Sequence, residues 1–404
     1  MRIRTGVAIL ATTVAAFAQI PPRRALSPTD TEAFQAEIQR IERMLETAGD
    51  TCTVHYALAR TWAAGGQYQK AIDELARTVG LRVGIDPSND SVFGKLRATR
   101  EFAAIAQQAV RDTPPKVASA AAFTIDEPDL LPEGIAFDAH QRQFFLGSTY
   151  KGKIVRCGMH GDCALFTKEG QDGLHEVLGL KIDPTDGTLW AVSNADQESA
   201  LFHFSVPSGA LIRKYTVAGK HVLNDLALDS KGNVFVTDTA SGLVYRRARA
   251  DDQFTVFLPA LRVQGANGIA ISLDDRKLYV AGFPDGITVV DLASRTFRAL
   301  PHPRELCLST IDGLSFYKGD LIAIQNGAFV NRVARLHLTP DGSAIAGFDV
   351  LEQRNPIFDG ITTGAVADDA FYFMANTQID KVVGGKLRAG VRVDPIRILR
   401  IPLR

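Results

Sequence analysis

Six equivalent positions in the second part of the chain carry side chains that could hold a metal ion. One residue stands just before each of six short strand-like runs, and these residues are Glu133, Leu178, Asn224, Asn267, Asp312 and Thr363. Four of the six are Asp, Glu or Asn, so they offer only oxygen donors and two negative charges. Such donors suit a hard dication, whereas Zn²⁺ favours nitrogen and sulfur. The sequence therefore predicts a divalent cation site, for which Ca²⁺ is the best fit.

Four side chains leave such an ion open to further ligands. Ca²⁺ takes about six to eight ligands, so water or substrate would occupy the remaining positions. An open dication can polarise a carbonyl group, lower the pKa of bound water and stabilise the oxyanion of a tetrahedral intermediate. The alternative is that these side chains only cap strand starts or fill polar turns. The chemistry that the pattern indicates is hydrolysis at a carbonyl carbon.

Two histidines precede the second and third of these runs. His175 and His221 are each candidates for a proton carrier, and the sequence does not choose between them. The chain contains no Gly-x-Ser-x-Gly elbow, phosphate-binding loop or His-Glu-x-x-His pattern. Serine hydrolase, nucleotide-binding and zinc peptidase functions therefore have no support.

The elements that position these residues form an internal repeat. A small residue follows each of the six positions and opens a strand, and these residues are Gly134, Gly179, Asp225, Gly268, Gly313 and Gly364. They recur at intervals of 43 to 51 residues, each followed by a turn and a second strand. Repeats of about 40 to 50 residues with four strands are typical of propeller blades. The sequence predicts a six-bladed β-propeller whose inner strands line the axis, with residues 121–124 as the outer strand of the last blade.

A helical segment precedes the propeller. Apolar residues recur with helical spacing before Pro114-Pro115, which marks the boundary between residues 19–115 and residues 116–404. The hairpin around Gly65-Gly66 resembles one tetratricopeptide repeat, although a plain helical hairpin explains the same pattern. Because a lone repeat needs neighbours for stability, we expect this segment to dock on another surface, with a protein partner as one candidate.

Residues 1–18 have the features of a signal peptide. Arg2 and Arg4 precede an uncharged run that ends in Ala16-Phe17-Ala18, the small-x-small pattern of a cleavage site. A short buried helix is the alternative, but Pro21-Pro22 would break it. No later apolar run approaches the ~20 residues of a membrane span. The sequence therefore predicts a periplasmic or secreted protein without a membrane span.

Charge argues against nucleic acid as a partner. Lys and Arg together number 45 and Asp and Glu together number 45, so the formal net charge is zero. No block of like charges occurs along the chain. A basic surface that could neutralise a phosphate backbone is therefore not expected.

The four cysteines have different expected roles. Cys157 and Cys163 flank a short turn between two strand-like runs, so a hairpin could pair them as a disulfide in an oxidising compartment. A metal site that uses both sulfurs and His160 is the alternative, but it supplies only three ligands. Cys52 and Cys307 are interpreted as small buried hydrophobic residues.

These motifs resemble one family of six-bladed propellers, the gluconolactonase/regucalcin (senescence marker protein) family. The matching runs are Leu131-Pro132-Glu133-Gly134, Asn224-Asp225, Asn267-Gly268-Ile269-Ala270 and Asp312-Gly313. The resemblance implies that Glu133, Asn267 and Asp312 bind one divalent cation and that Asn224 lies at the metal and substrate. It also implies that Asp312 is the general base that activates water for lactone opening. Sugar lactonases of the family carry an Arg where this chain has Val222, so the resemblance does not extend to the sugar contact.

Three functions are in competition at this stage. The first is a metal-dependent hydrolase that opens a small-molecule lactone or related ester. The second is a non-catalytic exported propeller in which the ion is structural and the helical segment recruits a partner. The third is a propeller lyase similar to strictosidine synthase, against which the oxygen-donor ring argues.

Overall fold

The computed structural model describes residues 31–47, 51–250, 252–327 and 329–404. Helices occupy the first part of this range and strands occupy the rest. The signal peptide predicted at residues 1–18 lies outside the described residues. Among the described residues, no helix is both long enough and apolar enough to cross a membrane.

Four α-helices lie in the described part of the chain before the first strand. They are α1 (Thr31–Thr47), α2 (Cys52–Ala64), α3 (Tyr68–Gly80) and α4 (Arg100–Asp112). The helices α2 and α3 pack against each other as a hairpin around Gly65 and Gly66. The start of α4 is capped by Thr99, whose hydroxyl oxygen accepts a hydrogen bond of 3.3 Å from the Phe102 amide. The helical segment is confirmed, and its kinship to tetratricopeptide repeats stays a prediction.

The helical segment packs directly on the propeller. Its hydrophobic core contains Ile38, Leu58 and Leu75 together with Phe329, which belongs to the propeller part of the chain. Ile85 forms a backbone bridge with the same Phe329. A lone helical hairpin exposes an apolar face, so burial against the propeller supplies the neighbouring surface that it lacks.

Both pairs of cysteines form disulfides, which corrects one prediction. Cys157 and Cys163 face each other on adjacent antiparallel strands and are bonded, as the hairpin predicts. Their sulfurs are therefore not free to bind a metal with His160. Cys52 and Cys307 are buried, but treating them only as hydrophobic residues is wrong, because they form a second disulfide across 255 residues of sequence.

The described strands from 120 onward form six four-stranded antiparallel sheets, which are the blades of a propeller. From the inner to the outer strand, blade 1 is Pro132–Asp138, Gln143–Ser148, Ile154–Gly158 and Cys163–Thr167, and blade 2 is Glu176–Ile182, Leu189–Asn194, Glu198–Phe204 and Leu211–Ala218. Blade 3 is Leu223–Leu228, Val234–Asp238, Leu243–Arg247 and Phe254–Val256, and blade 4 is Ile269–Ile271, Lys277–Gly282, Gly286–Asp291 and Phe297–Ala299. Blade 5 is Ile311–Tyr317, Asp320–Gln325, Arg332–Leu338 and Ile345–Gln353.

The sixth blade closes the ring with a strand from the other end of the propeller sequence. Its strands from the inside outward are Gly364–Ala367, Ala370–Met374, Ile396–Pro402 and Ala120–Ile125, with a small hairpin of Val382–Val383 and Lys386–Leu387 inserted. In the closing pair Phe123 lies opposite Ile398. The predicted outer strand at residues 121–124 is confirmed. This closure pairs the first strand of the propeller sequence with the last one, so neither is left without a partner strand.

Candidate functional site

The ring positions are held side by side by close contacts between the inner strands of adjacent blades. A Cβ atom at Gly134 would overlap the carbonyl oxygen of Leu178 in the next blade. A Cβ atom at Gly268 would lie 2.6 Å from the carbonyl oxygen of Asp312 in the next blade. The repeated small residue is therefore needed where one inner strand meets its neighbour. The same contact brings consecutive ring residues together at the axis.

Asp312 is the centre of a buried polar cluster. Its Oδ1 accepts a hydrogen bond of 2.8 Å from Nδ2 of Asn267, and its Oδ2 accepts one of 2.6 Å from Nδ2 of Asn326. Glu133 lies near enough that the negative charge of Asp312 acts on it. All four side chains are buried. The structure thus brings three predicted ligands together, Glu133, Asn267 and Asp312, and places beside them Asn326, one of the polar residues that the sequence puts at the ends of the second strands.

The oxygens of this cluster, and that of the ring residue Asn224, are short of donors. Glu133 Oε2, Asn224 Oδ1, Asn267 Oδ1 and Asn326 Oδ1 are buried, and none of them has a hydrogen-bond partner in the described structure. Each is an acceptor, and the amide nitrogen of Asn224 is already used in a bond of 3.0 Å to the Thr239 hydroxyl. A buried acceptor without a donor costs about 1–3 kcal/mol. A cation would satisfy such oxygens, and an apolar ligand would not.

Asp225 is a third buried carboxylate that the sequence analysis treated only as a strand opener. It occupies the position at which the other five repeats have Gly, and it is 3% exposed. Its Oδ1 accepts a hydrogen bond of 2.8 Å from the Leu226 amide and lies 3.7 Å from Nζ of Lys181. The departure from Gly at this single repeat is the sequence signal that could have identified it.

Burial raises the pKa values of all three carboxyl groups, and charge repulsion adds to the rise at Glu133 and Asp312. Burial is the main cause for Glu133, whose pKa lies well above its ordinary value, and the charges of Asp312 and Asp225 raise it further. Burial also raises the pKa of Asp225, which the Lys181 ammonium partly offsets. The pKa of Asp312 rises to about 7 because burial outweighs the hydrogen bonds from Asn326 and Asn267. Without a counter-cation, the three groups cannot all be ionised cheaply at neutral pH.

The other two ring positions, Leu178 and Thr363, carry no Asp, Glu or Asn side chain. They stabilise the contacts between neighbouring blades. Leu178 is buried in the hydrophobic core that joins blades 2 and 3. The Thr363 hydroxyl donates a hydrogen bond of 2.9 Å to the backbone carbonyl of Glu133, and the Thr362 hydroxyl donates another of 2.8 Å. These bonds fasten the inner strand of blade 6 to that of blade 1 and so fix the backbone that carries Glu133.

The two candidate histidines lie beside the axis on the face where the inner strands begin. His175 and His221 both line a cavity formed by blades 2 and 3. Nδ1 of His221 is 2.6 Å from Oδ2 of the buried Asp238. His175 is held instead through its backbone amide, which donates a hydrogen bond of 2.8 Å to the Ser193 hydroxyl. The structure therefore distinguishes the two histidines, which the sequence does not.

Among the described residues, no cluster of three or more His, Cys, Asp or Glu side chains forms a metal site. The axial cluster differs from such sites because amide oxygens make up much of its donor set. Glu133 and Asp312 provide carboxylate oxygens, and Asn224 and Asn267 provide amide oxygens. This donor set is compatible with a hard dication and lacks the nitrogen and sulfur ligands that zinc favours.

Comparison with known proteins identifies the fold. No protein-family model matches the chain, and no curated protein matches it. Among solved structures, the chain is similar to an oxidoreductase described as a glucose dehydrogenase from Thermus thermophilus, with a TM-score of 0.50 and 14% identity over 70% of this chain and 99% of that one. It is also similar to a gluconolactonase from Xanthomonas campestris, with a TM-score of 0.49 and 15% identity over 72% and 99% of the two chains. The likeness to the first of these two structures shows a shared fold. Because one fold hosts many activities, function has to be argued from the site.

Proposed function

We propose that the axial cluster binds one divalent cation, for which Ca²⁺ is best suited, through Glu133, Asn224, Asn267 and Asp312. The observation that carries this proposal is the set of buried acceptor oxygens without donors, which includes one oxygen each from Glu133, Asn224 and Asn267. The donors are all oxygens, as a hard dication prefers. The carboxylates of Glu133 and Asp312 supply the opposite charge, and the nearby Asp225 adds to it.

The reaction that we propose for this site is the hydrolysis of a lactone or related ester. A bound dication would polarise the carbonyl group and stabilise the negative charge that develops on its oxygen. Asp312 is the residue that we assign as general base. The hydrogen bonds from Asn267 and Asn326 hold its carboxylate in one orientation, as a general base requires. Water that loses a proton to Asp312 would attack the carbonyl carbon.

A second candidate is a binding protein in which the ion is structural. The helical segment has large apolar side chains on its surface, at Tyr68, Leu81 and Val110, which are 37%, 42% and 47% exposed. Such residues could contribute to a contact with a protein partner. In this alternative the axial cation would hold the inner strands together and would not take part in a reaction.

The cation proposal predicts a pH-dependent thermal shift. In the folded protein the pKa of Asp312 rises from 3.8 to about 7. Without metal, the protonated carboxyl group of Asp312 therefore favours the folded state at low pH, and this contribution to stability is lost as the pH rises from 3.8 towards 7. Ca²⁺ would compensate the charge that forms. We therefore expect Ca²⁺ to raise the melting temperature more at pH 8 than at pH 5, with about 2.7 kcal/mol of stabilisation at a hundredfold excess over Kd.

Differential scanning fluorimetry in Ca²⁺ and in a chelator provides the measurement. The Glu169→Gln variant is the matched control, because this carboxylate is exposed at the surface and should leave the shift unchanged. Equal melting temperatures with and without Ca²⁺ at both pH values would contradict cation binding at the axis.

Hydrolysis is tested with a panel of lactones and carboxylic esters in Ca²⁺ and after chelation. We expect turnover of at least one substrate that disappears on chelation and returns when Ca²⁺ is added. A protein that Ca²⁺ stabilises but that turns over no member of the panel would favour the binding-protein candidate.

Export to the periplasm or the medium is also part of this proposal. Two disulfides, Cys52–Cys307 and Cys157–Cys163, are typical of an oxidising compartment. We expect the intact mass of protein recovered after export to fit a chain that begins near Gln19 and lacks four cysteine hydrogens. A mass that includes Met1, or four thiols that react in denaturant without reductant, would be the contrary result.

A further inference from the structure

Blades 2 and 3 form a cavity whose lining contains none of the proposed cation ligands. Its volume is about 710 Å³, and it lies where the inner strands begin. Ala195, Val222 and Ala240 contribute apolar surface to its wall. Its lining contains His221 and six further titratable side chains, which are His175, Glu176, Asp196, Glu198, Lys214 and Lys220. Lys214 and Glu198 pair with each other at 2.7 Å.

His221 is held in one orientation by a buried carboxylate. Its Nδ1 lies 2.6 Å from Oδ2 of Asp238, which is fully buried. The other oxygen of Asp238 accepts hydrogen bonds of 3.0 Å from the amides of Val222 and Ala240, and the Ser241 hydroxyl donates to Oδ2 at 2.5 Å. A carboxylate that accepts all these bonds places the imidazole proton on Nδ1. Nε2 is left with a free lone pair, which is the arrangement of a general base.

Glu176 supplies a second proton-transfer group to the same cavity. Burial raises its pKa to about 8, and the negative charge of Asp196 contributes to the rise. Glu176 is therefore a carboxylic acid for the most part at neutral pH and can donate a proton. His221 and Glu176 line the same cavity, so one base and one acid are available to a ligand bound there.

We propose that this cavity is a second, metal-independent site of hydrolysis for small carboxylic esters, with His221 as general base, Asp238 as its positioning residue and Glu176 as general acid. The apolar surface formed by Ala195, Val222 and Ala240 would bind the hydrocarbon part of the ester. Neither His221 nor Glu176 belongs to the set of proposed cation ligands, so the proposal assigns the axial cation no role at this site.

The proposed reaction balances in protons and bonds. Nε2 of His221 takes a proton from water while the water oxygen forms a bond to the carbonyl carbon. The tetrahedral intermediate then loses the alkoxide, whose oxygen takes the proton of Glu176 as the C–O bond breaks. The products are a carboxylic acid and an alcohol. His221 returns its proton to Glu176 or to solvent, which restores the starting state.

The test uses 4-nitrophenyl acetate and the full exported chain in excess chelator. We expect the wild-type protein to hydrolyse this ester without metal and His221→Gln to lower that rate by at least ~10²-fold, the scale for loss of a general base. The acidic limb of the wild-type pH–rate profile should disappear in this variant. The control is His140→Gln, which removes an exposed histidine in a turn of blade 1 and should leave the rate within about twofold.

Two further measurements separate catalysis from folding and from the axial site. Added imidazole should raise the rate of a His221→Ala variant by more than the same imidazole concentration raises hydrolysis without protein, which a merely structural role would not allow. Calcium-dependent lactone hydrolysis, measured in the same samples, reports on the axial site independently. The inference is overturned if the chelator-resistant rate is the same in His221→Gln as in the wild type, or if His140→Gln loses as much.

Discussion

The Asp312→Asn variant is expected to lose at least ~10²-fold of the calcium-dependent hydrolysis, the usual scale for a lost general base. The substitution keeps one oxygen donor and almost the same shape, but it removes the charge and the capacity to accept a proton. In addition, both oxygens of Asp312 accept from amide nitrogens, of Asn267 and Asn326. The NH₂ group of the introduced Asn would face one of these donor NH₂ groups. One hydrogen bond would be lost, and the side chains of the cluster would no longer be held in the same positions. Steady-state kinetics with the best substrate of the panel provide the measurement.

Thr363→Ala is the matched control for this substitution. Thr363 stands at a ring position, but its hydroxyl is used in a bond to the Glu133 backbone, and Thr362 makes a parallel bond to the same carbonyl. We therefore expect its removal to change the rate far less than Asp312→Asn does. Equal losses in the two variants, or full activity in Asp312→Asn, would contradict the assigned role of Asp312.

Gly134→Ala is expected to have the largest effect on stability. The added methyl group would overlap the backbone carbonyl oxygen of Leu178, and a backbone atom cannot rotate away as a side chain can. Adding a methylene to a packed core costs about 1–3 kcal/mol, and backbone overlap places this variant at the upper end or beyond. The inner strands of blades 1 and 2 would have to separate. Urea denaturation followed by circular dichroism measures the change in the free energy of unfolding.

Gly347→Ala is the control for the loss of a glycine in a strand. Gly347 lies in the outer strand of blade 5, and a Cβ atom there would meet no atom within 4 Å. We expect this substitution to leave the free energy of unfolding within about 0.5 kcal/mol of the wild type, as for most surface changes. If Gly134→Ala is as stable as Gly347→Ala, the inner strands are not packed as closely as the structure has them.

The sequence alone was sufficient for the architecture of the propeller and for most of the axial cluster. Its repeat is a local pattern that returns once per blade, so the position before each small residue marks an equivalent place in space. Glu133, Asn267 and Asp312 could therefore be assigned to one ring, although they are far apart in sequence. The outer strand of blade 6 could be predicted from the same repeat, because the last sheet of a closed ring needs a fourth strand from the start of the propeller sequence.

The tertiary structure alone decided which side chains meet across blades and between the helices and the propeller. Cys52 and Cys307 pair because the helical segment docks on blade 5, and no local pattern encodes contact over 255 residues. Asp225 and Asn326 join the axial cluster, and His221 gains Asp238, through the packing of neighbouring strands. Periodicity determines the blade that a residue belongs to and the face on which it lies. The partners, burial and protonation of its side chain depend on the shape of the surfaces that the folded blades bring together.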